Sequence, residues 1–384
     1  MDFNFSEEQT LLRNMVQTFV QDNYDFDKRM KIVRSESGMS AENWQKFAEL
    51  GLLAAPFSEE QGGFGGGAVD AMLVMEEFGK GLVMEPYLPT IILCGGMLDR
   101  HGTDAQKQAY IPSITDGSAI WALAYSETQS RYQANHVRLS AKADGDGFVL
   151  NGHKSVVIAA PWASHLIVSA RTSGDENDTQ GITLFIVEKQ AAGVSCQDFN
   201  TVDGGRASDV SFENVKLSAD AVIGPVDGGF DVLEEALDFG AAAACAEAVG
   251  AMKAATAATI EYARTRKQFG QPIGSFQVLQ HCMVDMLGEG EHATSITTMA
   301  HLKLDAEASE RRQAVSAAKS YIGKSGRMVG QNAVHIHGGM GMTEELNIGH
   351  YFKRLTTLNI QFGDEDFHLK RFSTESNKSA QEAA

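Results

Sequence analysis

Apolar residues recur at helical spacing from the start of the chain: Leu11, Leu12, Met15, Val16, Phe19 and Val20 fall on one helical face. Ser6 followed by Gln9 has the form of a capping box, and Glu7 and Glu8 suit the positive end of a helix dipole. An amphipathic helix with one buried face is therefore predicted there. Similar segments cover residues 44–53, 68–78 and 105–110, and the glycine-rich stretch between them, "EEQGGFGGG" at 59–67, lacks both the G-x-G-x-x-G order and a preceding strand pattern, so it reads as a loop. Near residue 119 the period changes. Val137, Leu139 and Ala141 alternate, Asp144 to Gly147 and Asn151-Gly152 carry hairpin signals, and strand-like runs follow at 148–150, 155–159, "HLIVSART", "GITLFIVEK" and "DVSFENVKL". These predict a β domain of roughly 100 residues. After "IGPVDGGF" the helical pattern returns, with long runs of good helix formers at 232–266 and 312–334 that imply a bundle. The order is α, β, α, with no internal repeat.

Composition narrows this picture without changing it. The chain has 384 residues, 43% hydrophobic, and a formal net charge of -18. No uncharged apolar run reaches the ~18 residues of a membrane helix, so no membrane insertion is expected, and the start, MDFNFSEEQ, lacks the pattern of a signal peptide. Cytoplasmic location is the expectation. Cys94, Cys196, Cys245 and Cys282 are scattered without ligand spacing, which predicts neither a disulfide framework nor a metal site. The acidic balance argues against nucleic acid or anionic membrane as partner. Against that background "RTRKQFGQPIGSFQ" at 264–277 gathers three cations around one aromatic. A local basic cluster on an acidic protein asks for a local anionic ligand, although a solvated basic face at a helix end is the ordinary meaning of such a run.

Several motifs in order resemble the acyl-CoA dehydrogenase family, from about residue 3 to about residue 372: "FSEEQTLLRNMVQTFV", "GTDAQKQAYIPSITDG", "DGFVLNGHKSVVIAAPWASHLIVSART", "SDVSFENVKLSADAVIGPVDGGF", "ARTRKQFGQPIGSFQVLQHCMVDM" and "QNAVHIHGGMGMTEE". The resemblance implies an α+β fold with an N-terminal helical domain at 1–118, a middle β-barrel or sandwich domain at 119–224 and a C-terminal four-helix bundle at 225–384. It also implies FAD, whose pyrophosphate would be the local anion. Arg266 would donate to that pyrophosphate with its planar fork, Gln268 and Phe269 would line the cofactor, and Gln277 would lie near the adenine. Gly338 and Gly339 match glycines that admit the cofactor to the backbone. His335 stands where the family usually has glutamine, and a core histidine is an equal reading of it. Ser126 keeps a hydroxyl that runs along the flavin. Departures from the pattern fall at Thr128, Tyr132, Val156 and Ile158.

The family's reaction removes a proton α to a thioester carbonyl and transfers a hydride from the β carbon to flavin, which needs a buried carboxylate base. By alignment on Gly363 the usual base position is Phe362, and the minority position, on a helix, is Gly240. Neither can accept a proton, so no catalytic residue is assigned. The ending "RLTTLNIQFGDEDFHLKRF" resembles small subunits of bacterial pimeloyl-CoA and steroid side-chain dehydrogenases. This implies an α2β2 heterotetramer whose second subunit supplies the base, with an acyl-CoA substrate and an electron-transferring flavoprotein as acceptor. Two alternatives stay open: a homo-oligomer using Asp364, Glu365, Glu235 or Asp238, and a scaffold without redox turnover. Gly240 and the alanines at 241–244 fit either a wide substrate or close helix packing.

Overall fold

The computed structural model describes residues 5–382; Met1 to Asn4, the first part of the MDFNFSEEQ start, lie outside the described residues with the last two. The helices are α1 (Glu7–Asn23), α2 (Phe26–Arg34), α3 (Ala41–Glu49), α4 (Ala68–Gly81), α5 (Gly96–His101), α6 (Asp104–Thr115), α7 (Gly229–Thr265), α8 (Gln277–Leu302), α9 (Ala308–His337), α10 (Asn347–Ile360) and α11 (Glu365–Glu382). The strands are β1 (Trp121–Ala124), β2 (Ser140–Asp144), β3 (Gly147–Ile158), β4 (His165–Arg171), β5 (Ile182–Glu188), β6 (Val194–Asn200), β7 (Arg206–Leu217), β8 (Val222–Ile223), and a small hairpin, β9 (Lys267–Gln268) with β10 (Gln271–Pro272). The α+β order of helices, sheet and helices is the expected one. Packing divides the chain into two compact units, Met1–Lys31 with Ala68–Val83 and Ala241–Ala384, and Ile32–Gly67 with Met84–Gly240. Among the described residues no helix is long and apolar enough to cross a membrane.

The first unit is helical apart from the β9–β10 hairpin. Its α1 begins on the expected capping box: Gln9 N donates to Ser6 Oγ and Ser6 N to Gln9 Oε1, both at 3.1 Å. The buried face of α1 carries Val16, Phe19 and Val20. Arg13 reaches α4, where it pairs with Glu76 at 3.2 Å and Glu77 at 3.0 Å. Helices α4 and α7 meet main chain to main chain. A Cβ on Gly79 would stand 1.9 Å from Glu247 O, and one on Gly250 would stand 1.9 Å from Glu76 O. The alanines at 241–244 are buried in the same helix, so their small size serves packing within the chain. Helix α9 is the hub, packed on α8, α10 and α11.

The second unit holds one eight-stranded sheet in the order β6-β7-β3-β2-β4-β5-β8, with β1 pairing parallel to β4. Leu150, Val168, Phe185, Val210 and Phe212 are among its core residues. Two expectations change here. Asn151-Gly152 is not a turn, because β3 runs straight through it as a bulge against β7, with Gly152 at φ +146°. Its Asn151 Oδ1 accepts from Asn214 N on that neighbouring strand. Strand β2 starts at Ser140 rather than Val137, because the main-chain N–H groups of Arg138 and Leu139 are turned to the Glu127 carboxylate instead of a ladder. The edge strand β6 is exposed at six of its seven residues, from Ser195 to Asn200.

Candidate functional site

In the helical unit, α7 ends at Thr265 and Arg266 N still donates to Tyr262 O, closing the last turn. The chain then folds into the β9–β10 hairpin, whose tip is Phe269 at φ +52° and Gly270 at φ +82°. Ile273 N donates back to Arg266 O, which closes the loop before α8 begins. Opposite stands the end of α9, where His337 lies flat on Tyr262 with ring centroids 4.1 Å apart. The His337 Nδ1–H donates to Ala333 O, and burial lowers its pKa. Between the two runs a cleft of about 570 Å³, lined by Arg266, Gln268, Phe269, His335, Gly338 and Gly339 among others.

That cleft brings together six of the eight residues expected to contact a cofactor. Gln277, the first residue of α8, is exposed and outside its lining. The side chains of Arg266, Gln268 and His335 make no hydrogen bond or ion pair to the described residues. Phe269 is 91% exposed, an apolar ring left in water. A Cβ at Gly338 or Gly339 would meet nothing within 4 Å, so nothing inside the unit asks for glycine at 339, while Gly338 turns the chain at φ +60°. By contrast Gly341 is needed internally, since its Cβ would stand 2.8 Å from Val334 O. Uncommitted cationic and amide donors, an open backbone face and an exposed ring fit the pyrophosphate and flat rings of FAD.

Ser126 belongs to the sheet unit, just after β1. Its carbonyl accepts from Ser155 N at 2.9 Å. The next residue, Glu127, turns inward at 5% exposure. Its carboxylate accepts from Lys154 Nζ at 2.8 Å, from Gln129 Nε2 at 2.6 Å, and from the main chain at Arg138 and Leu139. Burial raises the Glu127 pKa, but the Lys154 charge and these donors outweigh it and hold the carboxyl below its usual range. Burial pushes Lys154 down to about 8. A carboxylate so engaged is a structural tie, not a base. Thr128 Oγ1 lies 3.0 Å from Ser155 Oγ, and the following turn carries Arg131 at φ +48° over the Tyr132 ring. Val156 sits at φ +55° in a β3 irregularity, half exposed, with its N–H on Asp209 Oδ1 at 2.9 Å.

Neither base position holds an acid. Phe362 lies in the α10–α11 turn at φ +62°, and Gly240 is buried on α7. Asp364, Glu365 and Glu235 are engaged by neighbouring groups. Asp364 accepts from Phe367 N at 3.0 Å as the cap of α11, and Glu365 is 3.6 Å from Arg327. Glu235 pairs with His101 Nε2 and stands 3.9 Å from Arg100. Asp238 is buried at 2% exposure. Two buried lysines escaped the sequence reading, Lys154 and Lys319; Lys319 is a lone cation in the apolar and small-residue run "AVSAAKSYIG", whereas Lys154, following Asn151 and His153, carries no such signal.

Three family models match in succession: acyl-CoA dehydrogenase N-terminal domain over residues 6–118, middle domain over 122–215 and C-terminal domain over 227–374. The mitochondrial isovaleryl-CoA dehydrogenase of Pongo abelii is 35% identical over 288 residues, 73% of this chain and 68% of that protein. A steroid acyl-CoA dehydrogenase, Tcur3481-Tcur3483, superposes with a TM-score of 0.88 at 27% identity, covering 98% of this chain and 99% of that one. The ChsE4-ChsE5 complex from Mycobacterium tuberculosis gives 0.90 at 25% identity, with 98% and 99% coverage.

Proposed function

Because the chain belongs to the acyl-CoA dehydrogenase family of FAD-dependent oxidoreductases, which oxidise acyl-CoA, we propose that it is the base-less subunit of a heteromeric member. The proton-abstracting carboxylate belongs to a sister subunit in an α2β2 assembly. Carrying this reading is the pair of base positions, Phe362 and Gly240, neither of which can take a proton. The alternative of a displaced base is weakened by the partners already holding Asp364, Glu365 and Glu235. Similarity to a solved structure described as the ChsE4-ChsE5 complex, an assembly of two different chains, supports it.

Bound FAD supplies the hydride acceptor for the desaturation. This chain's part is to bind and orient. Arg266 would hold the pyrophosphate, since a planar guanidinium can donate twice to phosphate oxygens. Gln268, Phe269 and His335 would line the cofactor, Gly338 and Gly339 would admit it to the backbone, Gln277 would serve its adenine, and Ser126 would offer a hydroxyl to a flavin. Phe362 leaves an apolar surface where a base would stand. The substrate is an acyl-CoA thioester of a steroid side chain or a dicarboxylic acid, supported by the steroid enzyme among the solved structures and by the bulk missing at Gly240. An electron-transferring flavoprotein is the acceptor.

A visible absorbance spectrum and a native mass decide it, taken on the chain expressed alone and with its sister subunit. Flavin and acyl-CoA oxidation confined to the co-expressed complex is the expected result. A yellow, active homo-oligomer from this chain alone would refute the reading.

A further inference from the structure

The turn from α10 to α11 is held from several sides. Phe362 at φ +62° and Gly363 at φ +112° both occupy the left-handed region. A residue with a Cβ stays there when its surroundings over-determine it. Those surroundings are inward-facing side chains. Lys319 Nζ donates to Leu358 O at 2.8 Å, Asn359 O at 2.9 Å and Gly363 O at 2.8 Å, so each of its three hydrogens goes to a main-chain carbonyl. His368 Nε2 donates to Phe362 O at 2.9 Å, and its Nδ1 accepts from Ser316 Oγ at 3.3 Å.

Ser316, Lys319 and Gly323 lie along one face of α9, at i, i+3 and i+7. Glycine at 323 makes room for the turn itself, because a Cβ there would stand 2.3 Å from Asn359 Oδ1 and 3.4 Å from Glu365 Cβ. Gly363 is pressed equally hard, its Cβ position 2.4 Å from Phe367 Cδ1. The main chain on both sides of residue 362 is therefore fixed. Burying an ammonium without a hydrogen-bonded carboxylate is costly, and burial draws Lys319 down to about 8. An aliphatic residue would fill that face of α9 without the cost, so the retained cation points to the geometry it enforces.

We infer that Lys319, seconded by His368, is a positioning residue for the side chain at 362, which it holds as a fixed apolar wall of the acyl pocket. This rests on the reading that places residue 362 at that pocket. The two lysine-bound carbonyls at the end of α10 and the one at Gly363 set the direction in which the Phe362 ring leaves the main chain.

The test uses the full chain with FAD and its sister subunit, Phe362 being replaced by 4-trifluoromethylphenylalanine, whose three equivalent fluorines give one resonance per environment. One narrow fluorine line is expected, which splits or broadens in Lys319→Met and in His368→Leu but survives in His368→Gln, whose amide still donates to the carbonyl of residue 362. A single unchanged line in Lys319→Met, with a lowered melting temperature, would show a merely structural lysine and overturn the inference. Should Lys319→Met not fold, identical spectra for His368→Leu and His368→Gln overturn it instead. Hexanoyl-CoA is then titrated in. A line that shifts on binding supports the wall, while a line that ignores saturating hexanoyl-CoA refutes the placement of residue 362 at the pocket and leaves the splitting result to judge the positioning separately.

Discussion

Lys154 Nζ stands 2.8 Å from Glu127 Oε1 inside the sheet unit, with the two side chains at 0% and 4% exposure. The pair is unequal in its other partners. Glu127 keeps two main-chain donors and Gln129, whereas Lys154 has Tyr125 O and Ser169 Oγ, both neutral. Glu127→Gln therefore strands a buried ammonium, at a cost on the order of 3–5 kcal/mol near neutral pH. The folded-state value of about 8 for Lys154 lies below the ordinary lysine value of 10.5, so the unfolded chain binds more protons and stability rises with pH between them. Without Glu127, which raises Lys154, that window extends downward. Urea midpoints for Glu127→Gln should recover as pH rises from about 7 to about 9; a flat profile would contradict this.

Glu85 titrates in the opposite sense. It is buried, accepts from Ser40 N at 2.9 Å at the start of α3, and desolvation raises its pKa from 4.5 to about 7. The folded state then holds the proton more tightly than the unfolded chain, so stability is full below about 4.5 and falls as pH climbs to about 7. The loss amounts to about 3 kcal/mol. Glu85→Gln should flatten this slope in thermal melts across the same range.

Val156 and Val157 are adjacent and should answer differently to substitution. Val156 is half exposed at φ +55°, a region that disfavours β-branched residues. Val156→Gly should fall within about 1 kcal/mol of the parent, strain relief offsetting the added chain entropy. Val157 is 2% exposed in the sheet core, and Val157→Ala should cost about 1–3 kcal/mol. Chemical denaturation of the two side by side checks the contrast.

Alanine at Gly79 or Gly250 should destabilise in spite of its better helix propensity. The new methyl has to occupy space 1.9 Å from a carbonyl oxygen of the facing helix. The helices must part, at a cost of about 1–3 kcal/mol or more, against about 1 kcal/mol gained in propensity. A melting temperature equal to or above the parent's would show that the helix pair can separate freely.

Arg266→Ala should weaken flavin retention while leaving the fold intact, since its guanidinium is exposed and has no partner among the described residues. Loss of a charge-assisted bond worth about 1.5–3 kcal/mol corresponds to roughly a 10–100-fold rise in the FAD Kd. Fluorescence titration of the flavin-free assembly measures it, and Arg266→Lys should lie between.

Local signals in the sequence proved readable where one short segment decides the outcome. The Ser6–Gln9 capping box and the hairpin between β2 and β3 need only neighbours along the chain. Asn151-Gly152 misled because the same dipeptide serves a tight turn or a bulge, and the choice depends on a partner strand at residues 206–217. Strand β6 carried no alternation to read, having six consecutive exposed residues. The cleft joins Arg266 to His335 across about seventy residues, and motif resemblance, not periodicity, put them together. Lys319 sits among apolar and small residues of α9, and its burial makes sense through carbonyls some forty positions later.

The open edge of β6 bears on how the protein behaves in concentrated solution. Its segment "VSCQDFN" has neither proline nor lysine, and its one charge, Asp198, accepts a hydrogen bond from Ser208 Oγ at 2.6 Å. Such an edge is a template on which another strand can add. Mutual repulsion between molecules of net charge -18 is what opposes that addition. The repulsion reaches about 10 Å at 0.1 M salt and about 3 Å at 1 M. Colloidal shelf life should therefore shorten as salt is added, with growth beginning at this edge strand.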